Sequence, residues 1–179
     1  MVIRIFIAAL LVLSIASYFI PVEQLNKKEV TNDIALLTFN ESTMYTLTPI
    51  SMNRVVTSKK VQRFKNRDVM YDGSLTLKGK DNENQEITDT LISDKIVKRG
   101  EVFEFLDNVR FLRNDYLTLN TDELVYNSEK KIATNTLPFD GKYFDNYIKG
   151  EKIYLDLNTY YMKSKNTHFE VEVQKKEGK

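Results

Sequence analysis

Groups able to do covalent chemistry are sparse in this sequence. It holds one histidine, His168, and no cysteine. Disulfides, zinc–thiolate sites and a thiol nucleophile are therefore excluded. His168 lies in an alternating run in which Thr167, Phe169, Val171 and Val173 share one phase while His168, Glu170 and Glu172 share the other. A hydrolytic triad would have to be built around this one imidazole, on the polar face of a strand. The acidic stretch Asp81-Asn82-Glu83-Asn84-Gln85-Glu86 resembles the start of a calcium loop, but its sixth position is Glu86, where that loop needs glycine. Ile92 stands where the bidentate glutamate belongs. The six glycines are scattered and form no phosphate cradle. These residues point to a protein without an enzymatic site, a metal or a cofactor.

What the residues offer instead is apolar surface in a repeat. Thr121-Asp122-Glu123-Leu124 is answered by Gly150-Glu151-Lys152-Ile153, and Ser58-Lys59-Lys60-Val61 and Ser93-Asp94-Lys95-Ile96 carry the same small-charged-charged-aliphatic string. The aliphatics Val61, Ile96, Leu124 and Ile153 are 35, 28 and 29 residues apart. A period in that range predicts one supersecondary unit repeated along the chain, each copy covering its neighbour's apolar face.

Composition agrees with strands. The 179 residues are 42% apolar, with 10 Phe and 10 Tyr, and alanine is scarce beyond the N-terminus. The net charge is +1, from 26 basic and 25 acidic residues. Arg4 is the only charged residue among the first 20, which leaves the remainder balanced at 25 of each sign. The lysine doublets (Lys27-Lys28, Lys59-Lys60, Lys130-Lys131, Lys175-Lys176) are interspersed with acids and read as solvated turns and strand edges. No one-signed basic face exists for nucleic acid.

The chain divides into four parts. Residues 1–22 form an apolar segment; from Ile5 to Val22 no side chain is charged. As a helix those 18 residues would span about 27 Å, close to the hydrocarbon thickness of a bilayer. Tyr18 suits the headgroup level and Pro21 ends the helix. A cleavable signal peptide would use Ser14-Ile15-Ala16, but the apolar run continues through Tyr18, Phe19 and Ile20, which favours an uncleaved anchor. Arg4 places the short end in the cytoplasm and the rest across the membrane, against the contrary pull of Lys27-Lys28. Residues 23–32 are a polar linker, 33–174 a β domain, and 175–179 a charged tail.

Within the β domain, short strands are expected every 8–12 residues, with reversals at Asn40-Glu41, 66–68, Asp72-Gly73, Asn108, Asn114-Asp115 and 127–130. That spacing fits a sandwich, a jelly roll or an open solenoid. The candidates for a continuous apolar interior are Val61, Phe64, Ile96, Phe103, Leu119, Leu124, Tyr126, Ile132, Ile148, Ile153, Leu155 and Tyr161. A closed fold fills that space with its own side chains. An open one leaves a slot for acyl chains, at about 0.8 kcal/mol per buried methylene.

The segments 117–126, 132–135, the connection Leu137-Pro138-Phe139-Asp140-Gly141 and 148–156 together resemble the LptC family of lipopolysaccharide-export proteins, and also the related LptA and OstA-like domains. The order of anchor, linker and single β domain is similar too. The resemblance implies an open, twisted antiparallel β-jelly roll of OstA-like type in the periplasm, held to the inner membrane by one N-terminal transmembrane helix. It implies a protein that takes lipopolysaccharide from the ABC transporter LptF/LptG/LptB, holds its lipid A acyl chains in the apolar slot, and passes it to the bridge protein LptA. Phe169, Val171 and Val173 would then lie on the edge strand that receives the next module by strand addition. Gly141 matches a structural glycine of that family. Ala9, Ala16 and Ser17 would let the anchor helix approach transporter helices closely. The alternative is an anchored periplasmic scaffold with a filled core and no lipid ligand. Intact-mass measurement of the mature protein is expected to show the first segment retained; loss of about 16 residues would refute the anchor.

Overall fold

A computed structural model describes residues 34–47, 52–80 and 83–171. The expected anchor and linker, with Ala9, Ala16 and Ser17, lie outside the described residues, as do Val173 and the charged tail. The described chain is all-β. Its twelve strands are β1 (Leu37–Leu47), β2 (Met52–Arg63), β3 (Asp68–Lys80), β4 (Glu86–Arg99), β5 (Val102–Arg113), β6 (Leu117–Asn127), β7 (Ile132–Thr134), β8 (Phe139–Tyr143), β9 (Asn146–Gly150), β10 (Lys152–Asp156), β11 (Tyr161–Lys165) and β12 (His168–Glu170).

All pairings are antiparallel and form one open sheet. β1 to β6 follow one another as an up-and-down meander. After β6 the strands come in halves. β7 pairs with residues 125–127 of β6 and β8 with residues 117–120, so β7 and β8 act as one interrupted strand. β9 with β10, and β11 with β12, repeat that arrangement outward.

The interruptions fall at one level, and the long strands bend at the same level. Glu41, Asp72, Asp107, Asn108 and Asn166 have positive φ of 47–63° there. The β4–β5 register slips by one residue between Ile92 and Lys95, and the β5–β6 register between Leu106 and Val109. Bulges of this kind bend a strand and increase its twist. The reversals expected at Asn40-Glu41, Asp72-Gly73 and Asn108 are thus bends inside strands of 11–13 residues. Asx residues tolerate the left-handed region whether the chain reverses or only bulges, so composition does not separate the two.

The four repeated strings occupy this crease on alternate strands. Ser58 and Ser93 are buried, and each hydroxyl lies 2.9 Å from the carbonyl two residues on, Lys60 and Lys95; the one proton of Ser58 is shared with the Tyr71 carbonyl of β3, at 2.7 Å. The side chain thereby satisfies a carbonyl that the bend takes off the ladder. The aliphatic ending each string then turns inward. Val61, Met70, Ile96, Phe105 and Leu124 are successive cross-strand partners. Asn135 carries the row on to Ile153: it accepts the Ile153 N–H at 2.7 Å on Oδ1 and donates its own N–H to the Ile153 carbonyl at 3.1 Å.

The crease divides the sheet into two walls. Wall one holds residues 42–46, 54–57, 74–80, 86–92, 109–113 and 117–120 with β8, β9 and β12. Wall two holds residues 37–40, 60–63, 68–71, 95–99, 102–106 and 123–127 with β7, β10 and β11. The walls face one another. Arg54 of β2 sits 6.0 Å from the Phe103 ring of β5, although strands three apart in a flat sheet are separated by about 14 Å. Between the walls lies the core. Leu75, Leu91, Ile96 and Phe105 are wholly buried, and Phe111, Leu119, Ile148 and Leu155 nearly so.

Gly141 is the tightest point. A Cβ there would stand 2.0 Å from the Thr118 carbonyl oxygen, a backbone atom of the neighbouring strand. A Cβ on Gly73 would meet the movable Ile96 Cδ1 at 2.8 Å first, and the Thr57 carbonyl oxygen only at 3.3 Å. Gly141→Ala is expected to cost about 3 kcal/mol or more in urea unfolding and Gly73→Ala about 1 kcal/mol. Equal costs would mean that the β6–β8 approach is not the constraint.

Candidate functional site

The interior candidates separate cleanly once the walls are known. Ile96, Phe103, Leu119, Leu124, Tyr126, Ile148, Ile153 and Leu155 belong to the buried core, and Val61 packs against it half-buried. Three candidates do not face inward. Phe64 follows β2, where its N–H donates to the Arg67 carbonyl and the Arg67 guanidinium covers its ring at 4.5 Å. Ile132 and Tyr161 are out of phase by one residue. Both flank Asp156 in the register, while their neighbours Ala133 and Met162 flank Leu155 on the core side. A one-residue step moves a strand side chain to the opposite face.

The row through wall one is continuous: Met44, Val56, Leu75, Leu91, Phe111, Leu119, Gly141, Ile148 and Phe169 are successive partners. Its middle is sealed, but its two ends are not. Met44 is 44% exposed and Phe169 45%, and Phe39 at the end of the wall-two row is 51% exposed. Beside β1, Phe39, Met44, Val61 and Met70 line a groove of about 700 Å³ that also touches the Arg63–Asp68 ion pair. Both ends coincide with backbone edges that are free among the described residues. Among the described residues β1 pairs only with β2, and β11 and β12 only with β10 and β9. Val171 follows β12 and is exposed.

The mouth opposite the crease is closed by polar contacts. Arg113 and Asp89, cross-strand partners on the inner face of wall one, form a two-pronged ion pair at 2.7 and 3.1 Å, with side chains only 3% and 4% exposed. Burial pushes the Asp89 carboxyl above its usual range, and Arg113 opposes the shift without cancelling it. From the β10–β11 turn, the Tyr160 ring lies 5.0 Å from the Arg113 guanidinium, its carbonyl accepts from Arg113 at 3.4 Å, and its hydroxyl donates to the Lys80 carbonyl at 3.0 Å. Tyr160 thus ties wall two to wall one. Sequence reading passed over Asp89, Arg113 and Asn135. The signal for the first two was a charge on the apolar phase of consecutive strands, after Ile87 and before Leu91, and after Val109 and Phe111.

The outer face of wall one differs in character. Arg110, Asn120, Asp140, Lys149 and His168 are successive partners across it and line a polar hollow of about 790 Å³. His168 Nε2 lies 2.8 Å from Glu170 Oε1, and both side chains are exposed. Among the described residues no group of acids and histidine is arranged to hold a metal ion. No protein-family model matches the sequence, and no curated protein matches it.

Removing one member of the buried pair strands the other charge. Asp89→Ala is expected to cost about 3–5 kcal/mol in urea unfolding, whereas Asp89→Leu with Arg113→Met recovers most of that loss. A double variant as unstable as the single one would show that the pair does more than satisfy itself.

Proposed function

We propose that the protein is a membrane-anchored lipopolysaccharide relay of the LptC kind, with an OstA-like jelly-roll domain in the periplasm and no chemistry of its own. One observation carries this reading. Among the described residues, the apolar inner face runs through the sheet and is left uncovered at both ends, next to two unpaired strand edges. Exposed apolar ends on open edges are a liability in an isolated domain, and they suit a module that is extended by another. On this reading the β1 groove admits acyl chains at Phe39, Met44 and Val61. LptA would add to the β12 edge at Phe169 and Val171, and the transporter would stand at the N-terminal side. The walls touch in the middle, so acyl chains advance only as the mouth contacts part.

That sealed middle favours a second reading, an interaction scaffold with a filled core. The two differ in what reaches the groove. A photo-crosslinking residue at Met44 is expected to capture lipopolysaccharide in cells, and one at Lys59, exposed on the outside of the crease, to capture none. Protein adducts without lipid at Met44 would support the scaffold and overturn the relay.

A further inference from the structure

The mouth contains a small, partly open recess apart from the apolar groove. Its volume is about 110 Å³, and it lies between Arg54, Lys78 and Asp89 of wall one and Tyr126, Lys131 and Tyr160 on the other side. The charges around it are unequal. Asp89 is engaged by Arg113 through both carboxylate oxygens. Among the described residues, no carboxylate forms an ion pair with Arg54, Lys78 or Lys131. Glu101, on the β4–β5 turn, accepts the Ser128 hydroxyl, which holds its carboxyl below the usual range, with Lys98 and Arg54 adding to the effect from nearby.

Arg54 is the informative member. Its guanidinium lies over the Phe103 ring, and its Nε–H is buried with no hydrogen-bond partner among the described residues. A buried N–H without an acceptor has lost its water and gained no hydrogen bond in return. The edge that remains is the fork by which arginine grips carboxylate and phosphate oxygens. The neighbouring Tyr126 hydroxyl is held neutral by burial, so it adds a donor and no negative charge. At about 30 Å³ per water, the recess is a few waters in size, enough for one tetrahedral oxyanion.

We infer that this cavity binds a single phosphate-like oxyanion, gripped by Arg54 and attracted by Lys78 and Lys131 at the rim. The site stands without the relay reading, since the phosphate can belong to a lipid headgroup or to a free ion. Its position under Tyr160 places the bound anion where the two walls meet, so occupancy is coupled to the closure of the mouth.

The test uses the full chain in detergent micelles, with inorganic phosphate titrated against chloride at constant ionic strength and binding followed by calorimetry. Wild type is expected to bind saturably at about 10 mM phosphate or below. Arg54→Gln is expected to bind at least about tenfold more weakly, the loss of one charged hydrogen-bonding partner, while Lys149→Gln on the outer face changes nothing. Should Arg54→Gln fail to fold, Lys131→Gln is expected to weaken binding about threefold. Absent saturable binding, or equal binding by wild type and the mouth variant that folds, overturns the site. A second arm compares phosphorylated with dephosphorylated lipid A in mixed micelles. A preference for the phosphorylated form that the same mouth variant abolishes assigns the site to a headgroup, whereas free-phosphate binding without lipid preference assigns it to a soluble anion. Lipid labelling at Met44 reads the relay separately, because no residue of this cavity lines the β1 groove.

Discussion

A sheet has two faces, and a single layer of strands leaves both in water. This chain solves that problem by folding one long meander over itself, so that the same apolar face meets itself across a crease. Everything else depends on every strand bending at the same level. If one strand ran straight, its inner side chains beyond the crease would leave the core and its backbone would lose both neighbours. The crease is therefore built redundantly. It uses left-handed residues at Glu41, Asp72, Asp107 and Asn108, and buried hydroxyls at Ser58 and Ser93. The last three strands are interrupted there, with the Asn135 amide standing in for missing ladder bonds. Gly141 and Gly73 lie just beside the line, where adjacent backbone or an inward side chain leaves no room for a Cβ.

The crease explains what could and could not be read from the chain. The repeat at Val61, Ile96, Leu124 and Ile153 was legible because each bend along this row uses the same sequence: a small residue at the crease (buried at Ser58 and Ser93), two charged residues, and an aliphatic that turns back in. Its period equals two long strands and their turns. The odd strands bend with Asx or glutamate in the left-handed region, a signature shared with ordinary reversals, so those strands read as twice as many short ones. Ile132 and Tyr161 were misassigned for a related reason. Each sits at the first residue of a short strand, where too few alternations follow to fix the phase. In β6 the bend shifts the phase by one residue, but Leu117 with Leu119 before it and Leu124 with Tyr126 after it each give a full alternation that fixes their own half.

Charge on the inner phase was the neglected signal. Arg54, Asp89 and Arg113 each occupy an inward position beside apolar neighbours, and all three lie in one row at the rim of wall one, with Leu77 between Arg54 and Asp89. An apolar residue at any of these positions would extend the core to the mouth. Instead the mouth carries a self-satisfied pair and one cation with a spare donor. Buried ion pairs contribute little net stability compared with apolar replacements, so their presence here is poorly explained by stability alone. A polar rim on an apolar interior limits how far the walls fuse and keeps charge at the mouth, apart from the uncovered apolar groove beside β1.

The two closures of the molecule also differ in strength, and that difference decides where it can open. At the crease the walls are covalently continuous, and rows of fully buried Leu, Ile and Phe pack behind it, each worth about 1.5–3 kcal/mol of burial. At the mouth, the ties around Tyr160 and Arg54 include two hydrogen bonds and two cation–ring contacts, each worth about 0.5–2 kcal/mol. Water can replace most of the mouth contacts once they separate, whereas it cannot replace the packing at the crease. Were the walls to part, the line of bends would be the hinge, and the contacts around Tyr160 would be the first to break.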